Sequence, residues 1–208
     1  MAALDRLRGL PLLGLLTVCW GLFMRQFGEQ EIYATVGGYA LFVSAVVLLI
    51  YRREVPSWFR FGLREAAIGV GMGALMTGLT YPLYRLAAAL LPSLSVTVAT
   101  LYRSSDERNL GLALCWVFVI LSAEELLFRG AFLVALERHM SRPTALCVST
   151  LAYAAAQAFS GSLLVGLLAL CCGSVWAIER MLTGSLVAPL LSHMVWTPVV
   201  ILLCPVMD

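Results

Sequence analysis

The sequence predicts an all-α, polytopic membrane bundle of about seven spans, with the chemistry on the last four. Three observations predict it. Hydrophobic residues make up 61% of the 208 and charged residues only 12%, with a mean hydropathy of +0.92, more than the surface of a soluble domain accommodates. Apolar runs of the length a spanning helix needs, about 20 residues, recur along the whole chain. Polar residues fall either between those runs or at a few isolated positions inside them.

Taken in order, the expected spans are 9–25, 33–51, 63–91, 109–135, 143–160, 162–179 and 183–204. Arg6 and Arg8 before Leu10 to Met24 imitate a signal peptide, but no small-x-small cleavage site follows, so the segment is expected to be a retained first span. The third span carries Gly69, Gly71, Gly73 and Gly78 before Pro82. Small residues at that spacing let helices approach closely, in a dimer or within one chain, and Tyr81-Pro82 marks an expected kink or break. The stretch from Leu91 to Asn109, with Pro92 and the cluster Arg103-Ser-Ser-Asp-Glu-Arg108, is expected to be a loop, with or without a short interfacial helix. No internal repeat or second domain interrupts the chain. Residues 1–208 form one integral membrane domain, in which 1–108 are N-terminal spans and polar loop and 109–204 are the core.

All fourteen basic residues are arginine, against twelve acidic residues, and no basic tract suggests nucleic acid. A cytoplasmic N-terminus puts Arg6, Arg8, Arg52, Arg53, Arg60, Arg64, Arg138, Arg142 and Arg180 inside and Arg25, Arg85, Arg103 and Arg108 outside, the distribution that the positive-inside rule favours. The arginine-only basic set suggests a GC-rich bacterial genome and an inner membrane. The six cysteines, all in apolar runs without CxxC spacing, read as small hydrophobes.

One span breaks the apolar pattern. Ser122-Ala-Glu-Glu-Leu-Leu-Phe-Arg-Gly130 sets two adjacent carboxylates and an arginine in a helix-length apolar run. A charge at a helix centre costs roughly 2.5–3.5 kcal/mol in a bilayer, so these groups need partners or a water-filled cavity. Glu125 and Arg129, acid first and four apart, suit a same-face ion pair. Glu124 points about 100° away and must find its partners elsewhere. Two further helices offer them: Gln157 in Tyr153-Ala-Ala-Ala-Gln157, and His193 with Thr197 one turn on. Glu124 lies fourteen residues before Arg138, Gln157 fifteen after Arg142 and His193 thirteen after Arg180. At 1.5 Å per residue all three sit about 20 Å from one arginine-marked face. With a cytoplasmic N-terminus, such a site opens toward the extracytoplasmic side.

The sequence contains no HExxH zinc motif, no GxGD aspartyl motif and no histidine placed to serve Phe159-Ser-Gly-Ser162 as a serine dyad. Metal binding by Glu124, Glu125 and His193 is chemically open; the expectation is a site without metal or other cofactor.

Glu124-Glu125-x-x-x-Arg129 and the later His193-x-x-x-Thr197, approached through Thr183-Gly-Ser-Leu-Val-Ala-Pro189, resemble the CPBP family of glutamic intramembrane proteases, the CAAX-protease and bacteriocin-processing group also called ABI proteins. The resemblance covers about residues 109–204. Two positions depart from it: Tyr153-x-x-x-Gln157 stands where the family has FxxxH, and Thr197 where it has Asn or Asp. The resemblance implies peptide-bond hydrolysis with Glu124 as general base, Glu125 held by Arg129 as support, Gln157 positioning the water, and His193 with Thr197 donating to the oxyanion. Gln157 can orient a water but cannot take up a proton. The implied substrate is a protein or peptide with a membrane-associated C-terminal segment, with sortase-like tail processing as a refinement. Two other readings stay open: a catalytically impaired relative serving as a membrane binding or immunity module, and a small proton-coupled transporter. The sequence does not indicate an oligomeric state.

Overall fold

A computed structural model describes residues 9–27, 32–104 and 109–207; Arg6, Arg8 and residues 105–108 of the polar cluster lie outside the described residues. The described chain is an all-α bundle without strands. Its elements are α1 (Gly9–Phe27), α2 (Ile32–Ile50), the one-turn α3 (Val55–Trp58), α4 (Leu63–Leu90), α5 (Ser93–Ser104), α6 (Leu110–Glu124), α7 (Leu133–Glu137), α8 (Arg142–Ala158), α9 (Leu163–Thr183) and α10 (Val187–Pro198). Between α6 and α7 the helix continues as a π-helical segment, Glu125–Phe132, and a second one, Val199–Leu203, follows α10.

A helix coincides with each of the seven expected segments, and three of these helices meet the length and apolarity of a membrane span. Leu63–Leu90, Leu110–Glu137 and Leu163–Thr183 are long and apolar enough to cross a membrane, and Gly9–Arg25, Thr35–Ile50 and Val187–Leu203 are shorter apolar helices. Helix ends follow local chemistry. Asn109, Ser141 and Ser162 cap α6, α8 and α9 through side-chain oxygens that accept the backbone N–H of Leu112, Thr144 and Val165. Gly184 closes α9 in the left-handed region at φ 66°, where a side chain would be strained.

Of the expected kink or break at Tyr81-Pro82, the break is absent, since α4 runs on through Pro82. Of the expected loop with or without a short helix after Pro92, most is the twelve-residue helix α5.

The glycine pair Gly69 and Gly73 packs within the chain. A Cβ on Gly69 would lie 2.5 Å from the Ala188 carbonyl, and one on Gly73 2.8 Å from that of Ser192. α4 therefore lies directly against the backbone of α10, the helix that carries His193. α8 packs on α9 and α2 on α6. The interior is filled by Trp20, Leu127, Phe128, Trp176 and Leu186, all but excluded from solvent.

Candidate active site

The polar centre begins where α6 turns into the π segment. Isolated π turns inside α-helices recur at functional sites because the wider i→i+5 pattern redirects side chains and frees carbonyls. Here two carbonyls of the segment also accept from other helices: Ser149 Oγ on α8 donates to Phe128 O at 2.6 Å, beside the Leu133 backbone N–H, and Arg180 Nε on α9 donates to Arg129 O at 3.2 Å.

Glu124, Glu125, Arg129, Gln157 and His193 are all buried, at 6% exposure or less. Arg129 Nη1 donates to Glu125 Oε1 at 3.2 Å, which is the expected same-face pair. The remaining contacts of the guanidinium hold it in place. Its Nη2 donates to the Gly173 carbonyl at 3.3 Å, and its Cζ lies 4.3 Å from the centre of the Tyr153 ring and 5.4 Å from that of Trp176.

Glu124 is bound from α8. Gln157 Nε2 donates to its Oε1, and Tyr153 Oη donates to its Oε2 at 3.0 Å. Tyr153 and Gln157 are one turn apart, so a single helix face supplies both donors. His193 joins the two carboxylates: Nδ1 is 3.0 Å from Glu125 Oε1, and Nε2 is 3.8 Å from Glu124 Oε2. The imidazole stacks on Trp176, centroid to centroid 3.5 Å. The roughly 100° divergence expected between the two glutamates is thus spanned by one ring presenting a nitrogen to each.

Five of the six expected residues come together through these contacts. Thr197 does not join them. It is one helical turn from His193, but its buried Oγ1 makes no hydrogen bond to any side chain or carbonyl of the site.

The sequence reading missed several groups. Tyr153 was read only as the start of a spacing, although its place four residues before Gln157 marks it as sharing that face. Trp176 and Gly173 carry no polarity that would single them out; a Cβ on Gly173 would lie 2.8 Å from Arg129 Nη2. Glu179 is a third buried carboxylate, 2% exposed, with neither oxygen in a hydrogen bond of ordinary geometry and Ser192 as its interacting hydroxyl. Arg180, counted as a marker of the wet face, is only 7% exposed and bonded inward.

Among the described residues no group of three His, Cys, Asp or Glu side chains is arranged to hold a metal ion. Beside the polar centre an apolar cavity of about 460 Å³ opens among α4, α5, α9 and α10, lined by residues such as Leu79, Leu83, Val98, Leu164 and Cys172, with Trp196 in its wall. Trp196 meets Trp176 edge to face at 6.1 Å, and Trp176 stacks on His193, so two aromatic rings link the cavity wall to the imidazole.

These features define a class: a helical integral membrane protein whose buried Glu-Glu-Arg network is completed by a histidine and an amide from neighbouring helices. A family comparison covers the part of the chain that carries this network. Residues 106–199 match the family described as type II CAAX prenyl endopeptidase Rce1-like, consistent with the CPBP/CAAX proteases. The match spans α6 to α10, the helices that carry the site, and covers less than half of the chain. No match was found among curated proteins or among solved structures.

Proposed function

We propose that the protein is a glutamic intramembrane endopeptidase in which Glu124 is the general base. The observation that carries this reading is the environment of Glu124: a buried carboxylate with a donor on each oxygen, from Gln157 and Tyr153, and the His193 ring on a third side. A carboxylate has about four lone-pair positions, so each oxygen keeps one for a water.

In the reaction proposed, Glu124 takes a proton from that water as its oxygen attacks the peptide carbonyl carbon. The resulting oxyanion is met by His193, which is held at Nδ1 by Glu125 and, when protonated at Nε2, donates from there. As the C–N bond breaks, Glu124 returns the proton to the leaving amine, and the products are a carboxylic acid and an amine. Glu125 and Arg129 orient the histidine and balance charge. No step needs Thr197.

The substrate proposed is a polypeptide with a membrane-embedded or membrane-associated C-terminal segment, entering along the apolar cavity beside Trp196. With the N-terminus cytoplasmic, the site faces the extracytoplasmic side, which suits removal of C-terminal tails in a sortase-like manner. The purified protein and Glu124→Gln, incubated with candidate tail peptides in lipid, decide the matter. Cleavage is expected from the native chain and is lost in Glu124→Gln; equal cleavage by both, or none across substrates and lipids, rejects it.

A further inference from the structure

Away from the polar centre, the charge of the molecule gathers at one end of the bundle. Arg52, Arg53, Arg60 and Arg64 come from the turn between α2 and α4, Arg138 and Arg142 from the turn between α7 and α8, and Arg180 from the end of α9, against Glu54, Glu65, Glu137 and the buried Glu179 among the described residues. Contacts between turns bring them together. Arg138 reaches Glu54 at 3.8 Å, and Ser185, just past α9, donates to the backbone carbonyls of Trp58 and Arg60. Arg60 Nη2 lies over Gly184, 3.4 Å from where a Cβ would be, and Arg60 and Arg142 are both within electrostatic reach of Arg180.

We propose that this face binds the phosphate of an anionic phospholipid headgroup, with Arg60, Arg142 and Arg180 grouped around it. The positive-inside rule explains why arginines are on this side. It does not explain where two of them stand. Arg64 and Arg142 occupy the first turns of α4 and α8, where the helix dipole is already positive and a cation is disfavoured; an anion there meets both the side chains and the helix ends.

Nor does topology explain Arg180. It is 93% buried, its Nε is committed to Arg129 O, and its Nη1 has no hydrogen-bond partner, while the nearby Glu137 is already paired with Arg142 at 3.1 Å. A guanidinium with donors to spare fits an acceptor with several oxygens. The source of the phosphate is indicated by the apolar side chains between the arginines. Phe61 and Leu63 are 74% and 87% exposed, so they meet acyl chains beneath the headgroups, which a free phosphate ion would not require. Through Arg180, a bound headgroup sits one hydrogen bond from the π segment that holds Glu125 and Arg129.

The test uses the full chain in detergent micelles and native mass spectrometry, with phosphatidylglycerol and phosphatidylcholine of identical acyl chains. Phosphatidylglycerol is expected to be retained preferentially. The double variant Arg60→Gln/Arg142→Gln, at two exposed positions that leave the fold intact, should weaken that retention by about fivefold per arginine removed. Arg85→Gln, at the other end of α4, removes one positive charge, as either single variant Arg60→Gln or Arg142→Gln does, and should change nothing. No preference between the lipids, or retention by the double variant equal to the native chain's, overturns the proposal. So does an equal loss in Arg85→Gln, which would reduce the effect to net charge. Displacement of the lipid by millimolar inorganic phosphate would assign the site to the free ion and overturn the lipid assignment.

Discussion

Glu124 and Glu125 are neighbours in sequence with opposite requirements, and substitution should separate them. Arg129→Ala leaves Glu125 as an uncompensated buried charge and should destabilise the protein by about 3–5 kcal/mol, read from denaturant titration in detergent. Glu124→Gln keeps the shape of the side chain, and a flip of the Gln157 amide lets its oxygen accept from the new NH2 while Tyr153 still donates to the remaining oxygen, so its unfolding transition should stay near that of the native chain while proteolysis disappears. Tyr153→Phe removes one donor from the Glu124 carboxylate and should lower kcat roughly 10- to 100-fold with the fold intact, the range expected for a hydrogen bond to a charged group. An unchanged kcat would leave Gln157 as the sole positioning group. Most of this centre was legible in the sequence because carboxylates, an arginine, an amide and a histidine are conspicuous in apolar spans. The contribution of Tyr153 was not, since a tyrosine in a membrane helix is ordinary until the structure gives its hydroxyl a partner.

At the scale of elements, the site depends on close backbone approach. Gly173 lets α9 come near enough for its carbonyl to accept from Arg129. Gly173→Val would force the guanidinium aside and should cost about 1–3 kcal/mol through overpacking, with loss of activity. Gly73→Leu should lift α4 from α10 and destabilise to a similar degree, since the group in its way is the Ser192 backbone rather than a flexible side chain. Thermal unfolding of both variants in detergent checks this. Glycine spacing in the sequence was enough to expect close packing by α4. It could not say that the surface met would be α10, because a small-residue stripe fits a second copy of the chain and a neighbouring helix equally well. The π segment left no trace in the sequence, since Leu126 to Phe132 are compatible with a regular helix and the wider turn is stabilised by Ser149 and Arg180, which are remote in the chain.

For the whole molecule, hydropathy alone placed the helices to within a few residues, and distances from an arginine-marked face brought Glu124, Gln157 and His193 to a common level. Which side of the membrane that level is nearer to is a separate prediction. In a cysteine-free background, Phe159→Cys should react with an impermeant maleimide added outside and Arg142→Cys with one added inside; the reverse pattern inverts the orientation. The π segment also has a consequence for the chain's length. A π turn holds one more residue than the α-helix covering the same distance, so the stretch 125–132 carries, in effect, a single-residue insertion. Deleting Leu126 would let a plain α-helix run from Leu110 to Glu137. The helix after the segment would keep its register, because the wider turn is what absorbs the extra residue, but Arg129 would fall three rather than four residues after Glu125, displacing its guanidinium from the Glu125 carboxylate and the Gly173 carbonyl. The helix would be more regular and the site would be lost, which makes this irregularity part of what the fold must preserve.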